Sequence, residues 1–179
     1  NGVLSTIVTR GNHKLGGRDW DARMEGILVA RFENETGLSI RTDSEQLSIV
    51  SGMSEGVKKQ LSAQNMQSAK VSAAFPGYGK ATVTITKAEF EENTADLLER
   101  TGALCLAVLE EAGLSQRDVT DVLLVGGSTR MPQVPAYLQK LFNKLPLSRV
   151  NPDEAVAFGA AIQSSKDNET YTALAVQVV

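Results

Sequence analysis

Residues 122–132 read VLLVGGSTRMP, and no other stretch constrains the fold as tightly. Val122, Leu123, Leu124 and Val125 form a short, wholly apolar run. A strand buried on both faces has that character, because neither face needs a polar side chain. Gly126-Gly127 ends the run. No side chain blocks close backbone approach there, and positive φ costs little. Pro132 sits where a helix would start, since its missing N–H would be unpaired in the first turn anyway. The expectation is strand, glycine turn, helix. In α/β proteins a crevice at the carboxyl end of such a strand is a usual place for a ligand. Backbone N–H groups at the turn and the helix start favour an anion such as a phosphate. The plain alternative is a tight connection that binds nothing. The stretch is not a Walker A loop, because no Gly-Lys-Ser/Thr follows, and it is not the dinucleotide GxGxxG.

The chain has 179 residues, enough for one domain or two small lobes. Its net charge of −3 is spread over both signs. A nucleic-acid surface would need a clustered basic face, so none is expected. The single cysteine, Cys105, stands between Leu104 and Leu106. A lone apolar-flanked thiol fits a reducing compartment, hence a cytoplasmic expectation, and allows no disulfide within the chain. There is one histidine, His13, and no CxxC, so no metal site is expected. No apolar run is long enough to span a membrane, and no signal peptide is visible. The first residue is Asn1, which reads as an excerpt of a longer chain.

Taken in order, residues 3–9 read as a strand and residues 11–17 as a glycine-bearing loop. A helix follows from Arg18, with Trp20, Met24, Ile27, Leu28 and Phe32 on one face and Gly37 as its C-terminal cap. Residues 40–44 read as a polar connection. A second helix from Ser44 puts Leu47, Val50, Val57 and Leu61 on one face. Its other face carries Glu55, Lys58, Lys59 and Ser62 at i, i+3, i+4 and i+7, which is one polar stripe. On spacing alone that stripe is a solvated face with a Glu55–Lys59 pair. Strands over 71–75 and 82–86 flank Pro76-Gly77-Tyr78-Gly79 and predict a hairpin. Thr86 with Glu89 forms a capping box that opens one long helix to about Ala112. Gly102 within it marks a kink or a close packing point. Another helix spans Pro132 to about Phe142. Asn151 reads as an N-cap with Pro152 at the first helical position, so Asp153 falls in the first turn, where a carboxylate favours the helix dipole. Gly159, Ala160 and Ala161 suggest close packing against another element. Residues 171–179 are apolar, β-prone and uncharged, so they dock or continue into further chain.

Together the motifs resemble the 70-kDa heat-shock chaperone (DnaK-like) family of actin-like ATPases. The resemblance rests on VLLVGGSTRMPQV (122–134) and VNPDEAVAFGAAIQ (150–163), with GNHKLGGRDWDARM (11–24) and SEGVKKQLSAQ (54–64) in support. It implies an α/β fold: the second lobe of an actin-like nucleotide-binding domain. Residues 1–10 and 95–165 would form a ribonuclease H-like inner subdomain, 11–94 a smaller α+β outer subdomain, and 166–179 a linker-like tail. ATP/ADP would be the ligand, with Mg²⁺ in the complete parent. Glu55 and Lys58 would hold the ribose hydroxyls, Lys59 would lie beside the adenosine, and Ser62 would hydrogen-bond the base. Gly126, Gly127 and Ser128 would approach the sugar and phosphates. Arg130 would lie along the adenine, with Asp153 nearby at its helix start. No catalytic residue is expected in this segment, because those groups belong to the absent first lobe. The partners implied are lobe I, a peptide-binding domain, a nucleotide-exchange factor and J-domain co-chaperones. Three departures stand out: His13 lies one place before the usual histidine, Arg18 replaces an acid, and Lys59 stands where relatives often have Arg. Two other readings stay open, an ATP-independent interaction scaffold and an actin-like small-molecule kinase.

Overall fold

A computed structural model of the chain describes residues 5–147, 151, 154–165 and 172–177. In chain order the elements are β1 (Ser5–Gly11), α1 (Gly17–Thr36), α2 (Ser44–Leu61), β2 (Ser68–Phe75), β3 (Gly79–Thr86), α3 (Lys87–Asn93), α4 (Ala95–Glu111), α5 (Gln133–Phe142), α6 (Ala155–Ser165) and β4 (Thr172–Gln177). Short 3₁₀ turns cover Ile40–Thr42 and Gly127–Arg130. The chain is mixed α/β and divides into two units: residues 17–97, and residues 1–16 with 98–179.

In residues 17–97, α1 and α2 pack on each other and cover one face of the β2–β3 hairpin. Trp20, Met24, Leu28 and Phe32 recur every four residues along α1 and are at most 1% exposed. Burying a side chain of this size stabilises by about 1.5–3 kcal/mol. Gly37 ends the helix at φ 72°, the left-handed cap that glycine adopts without strain. The hairpin is antiparallel, from Ser68 opposite Thr86 to Phe75 opposite Gly79. Its buried positions alternate as a half-covered sheet requires: Ala69, Val71, Ala73 and Phe75 face Ala81, Val83 and Ile85 on the helix side. Phe75 meets Phe32 edge to face, with ring centroids 5.1 Å apart. Asp43 caps α2, its carboxylate accepting from the N–H groups of Glu45 and Gln46 at 3.0 and 3.1 Å.

Three local expectations change here. Residues 40–44 are not merely a polar connection, because Ile40 is fully buried. A single apolar residue in a short turn has no periodicity to reveal it. The long helix over 86–112 breaks at Thr94, which is fully buried and adopts φ −120°, ψ 7°. Its hydroxyl donates to the Phe90 carbonyl at 2.9 Å, a bond that competes with the helical ladder. Thr86 caps α3 by accepting from the Glu89 N–H at 3.1 Å, whereas the Glu89 carboxylate takes a bond from Arg31 at 2.8 Å.

In the other unit, β1 and β4 pair in parallel with an irregularity between Thr6 and Thr9. Gly102 lies within α4, which is one helix over Ala95–Glu111. It is a close packing point, since a Cβ there would lie 2.8 Å from Cε1 of Tyr137 on α5. Residues 122–125 form no strand of a sheet among the described residues. They make one parallel bridge, Leu123 to Leu147, with the Leu147 N–H donating to the Val122 carbonyl at 2.7 Å. Leu123 is 55% exposed. Doubly covered strands need neighbours on both edges and layers on both faces, and an apolar run cannot supply them by itself. Helix α6 also departs from expectation. Gly159, Ala160 and Ala161 are exposed, and nothing approaches within 4 Å of a Cβ placed on Gly159.

Candidate functional site

Four of the candidates sit on the last turns of α2 and the residue that caps it. Glu55 and Lys59 are exposed and pair at 2.8 Å, one helical turn apart. That hydrogen bond holds the Glu55 carboxyl below the ordinary carboxylate range and raises the Lys59 ammonium above its own. Lys58 does not belong to this open face. Helical geometry sets it about 60° from Leu61, at the margin of the buried side, and its side chain is 11% exposed. Its ammonium lies 2.8 Å from Asp21 Oδ1 and donates to the Gly17 carbonyl at 3.4 Å. The Asp21 contact is an ion pair without a well-aligned hydrogen bond. Ser62 caps α2, and its hydroxyl donates to the Lys58 carbonyl at 2.8 Å. While that bond holds, the oxygen is open to a further partner as an acceptor. The row thus offers a carboxylate, a fixed ammonium and a hydroxyl acceptor in sequence along the helix end.

Gly126, Gly127, Ser128 and Arg130 belong to the other unit. Gly126 has φ 86° and ψ 158°, a region open to glycine alone. It turns the chain out of residues 122–125 and into the 3₁₀ turn Gly127–Arg130. Thr129 fastens that turn, its N–H and hydroxyl both bonding the Gly126 carbonyl at 3.2 and 2.7 Å. Met131 is buried beneath it, and Arg130 is exposed. Helix α5 then starts at Gln133, with Pro132 already at helical angles. Asp153 lies outside the described residues. At its flank the Asn151 carbonyl accepts from the N–H groups of Glu154 and Ala155 at 3.0 and 2.9 Å, which is the first turn leading into α6.

Two comparisons with known proteins bear on this arrangement. The family model described as Hsp70 protein matches residues 1–170. The chain belongs to the Hsp70 family. Among its relatives in that family, Chaperone protein DnaK of Halobacterium salinarum, in strains R1 and NRC-1, is 44% identical over 158 residues. Those residues are 87% of this chain and 25% of the relative, so the chain spans about a quarter of the length of the Hsp70 proteins it matches.

In this Hsp70-family chain, the spacing along α2 gathers Glu55, Lys58, Lys59 and Ser62 at one helix end but does not show what holds Lys58. Asp21 and Gly17, on α1, were missed as its partners. The usable signal was physical: a lysine beside Leu61 and Ser54 on a buried margin needs a counter-charge. His13 is exposed and stands in a loop that Asn12 organises by accepting from the Lys14 N–H at 2.9 Å. Cys105 is buried, and burial pushes its thiol up to about 11. Among the described residues, no group of three or more His, Cys, Asp or Glu side chains could hold a metal ion, and no helix is long and apolar enough to cross a membrane.

Proposed function

We propose that this chain is the adenine-nucleotide-binding lobe of a DnaK-like chaperone ATPase. The observation that carries the reading is the hydrogen-bond state of the α2 end. Ser62 spends its hydrogen on the Lys58 carbonyl and faces a ligand as an acceptor. An acceptor at the base suits the exocyclic amine of adenine and opposes the carbonyl that guanine carries at the same position. Glu55 supplies a carboxylate that can accept from ribose hydroxyls, and Lys58 supplies a donor to the same sugar. Gly126, Gly127 and Ser128 contribute close backbone approach, Arg130 a planar guanidinium for the base, and Asp153 a further polar contact. Lys59 lies beside the adenosine, where its ammonium cannot stack as a plane.

The finer architecture follows the same reading. Residues 1–10 and 95–165 are the ribonuclease H-like inner subdomain of an actin-like lobe, 11–94 its outer subdomain, and 166–179 a tail toward the next domain. Bound ATP or ADP supplies the phosphate chemistry together with Mg²⁺ in the complete protein. The whole protein would hydrolyse ATP in the cytoplasm to switch a peptide-binding domain. Lobe I, a nucleotide-exchange factor and J-domain co-chaperones would be its partners. Replacing Arg130 with Ala tests the site. ADP affinity measured by calorimetry is expected to fall about tenfold, the scale of one desolvated cation–ring contact, with helicity unchanged. Equal affinity removes Arg130 from the site.

A further inference from the structure

Lys58 and Lys59 are neighbours on one helix and live in different environments. Lys59 is 70% exposed and pairs along its own helix with Glu55. Lys58 is 11% exposed and is tied to α1 through Asp21 and the Gly17 carbonyl. A lysine has many rotamers, and ordering it when a ligand binds costs free energy. Lys58 is ordered before any ligand arrives. The nature of the tie matters as well. Asp21 Oδ1 is buried and receives no well-aligned hydrogen bond, although the ammonium is 2.8 Å away. Asp21 therefore fixes the position of the charge and engages at most one N–H. The Gly17 carbonyl takes one N–H, and an ammonium has three. With one N–H toward Asp21 and one toward Gly17, a third remains for a sugar hydroxyl.

We propose that Asp21 is a positioning residue for nucleotide binding: it holds the Lys58 ammonium in place so that its remaining N–H meets the ribose. This rests on the nucleotide reading of α2 given above. It separates two roles within one row, a pre-ordered donor at Lys58 and a solvent-facing pair at Glu55–Lys59.

The test is a double-mutant cycle on the full chain, with ADP as the probe. Affinities are measured by calorimetry for the wild type, Asp21→Asn, Lys58→Met and the double variant. Emission of Trp20, the single tryptophan, next to Asp21 in α1 and 1% exposed, reports folding in each. Asp21→Asn is expected to weaken ADP about tenfold, as losing control of one charge-assisted bond would. In the Lys58→Met background the same change is expected to have no further effect, because its route to the ligand is gone. Asp21→Glu keeps the charge and is expected to stay within about threefold of the wild type. An equal loss in both backgrounds, unchanged or tighter binding by Asp21→Asn, or an Asp21→Asn chain that does not fold overturns the proposal in favour of a purely structural pair. So does an Asp21→Glu variant as weak as Asp21→Asn. Each of those outcomes leaves the nucleotide reading standing, provided that the wild type binds. Absence of ADP binding by a folded wild type overturns that reading, and this proposal with it.

Discussion

In residues 17–97 each element finds its partner close by. Helices α1 and α2 close over a hairpin whose alternate residues all turn toward them, and Trp20, Met24, Leu28, Phe32, Ile40, Val50 and Ile85 are almost fully buried. The unit of residues 1–16 and 98–179 is no less apolar in sequence, yet Leu123, Leu145, Val156 and Phe158 are exposed. Its exposed apolar segments are the single-bridge run at 122–125 and helix α6, whereas α4 and α5 bury Val108, Leu109, Val134 and Leu138. An amphipathic helix or a hairpin carries most of what it needs in its own periodicity. A strand meant for the middle of a parallel sheet depends wholly on neighbours. Apolar residues are buried where their periodicity matches a partner surface, as on α1, α4 and α5, and stay open along 122–125, which makes a single bridge.

The strongest way to break this contrast is to truncate one apolar residue in each region. Phe32→Ala removes a fully buried ring in edge contact with Phe75 and is expected to cost about 3–5 kcal/mol. Leu123→Ala removes a side chain that is more than half exposed and is expected to cost under about 0.5 kcal/mol. Urea denaturation followed by circular dichroism measures both, and comparable losses would mean that Leu123 is packed in solution.

A second substitution asks whether the less complete unit still has tight packing of its own. Gly102→Ala favours the helix by about 1 kcal/mol but pushes a methyl into the Tyr137 ring, and overpacking costs about 1–3 kcal/mol. A net loss of stability is expected, relieved when Tyr137 is shortened to Leu. A gain in stability from Gly102→Ala alone would show that α4 and α5 are not in close contact.

The smallest effect concerns Cys105 on α4. Burial raises its thiol to about 11. Because the folded value lies above the unfolded one, its contribution is complete below the ordinary thiol range and is lost as pH rises toward 11. Stability is expected to decline over that window, and Cys105→Ala to flatten the decline. Parallel pH profiles for the two proteins would place Cys105 outside any core.

These contrasts also explain what could be read in the amino-acid order. The face of α1, the cap at Gly37 and the Pro76–Gly79 turn were legible because each is written within a few residues. The buried Ile40 and the break at Thr94 were not, because only tertiary packing distinguishes them from a surface turn and a helical threonine. The same boundary runs through the candidate site. Spacing gathers Glu55, Lys58, Lys59 and Ser62 on one helix. Nothing in spacing separates a lysine with a partly buried counter-ion from one in water, and nothing links position 21 to position 58. The glycines at 126 and 127 were legible as a turn, and Gly126 needs its glycine for φ 86°. The strand before them was over-read for want of its neighbours.

The proposed nucleotide site puts Ser62 at the base as an acceptor at the end of α2. Calorimetric titration of the chain with ADP, and with GDP as the matched control, tests it most directly. Saturable binding of ADP is expected, with GDP at least about tenfold weaker, since a donor–acceptor match is replaced by two opposed acceptors. Equal affinity for the two nucleotides, or no binding of ADP by a folded chain, would contradict it.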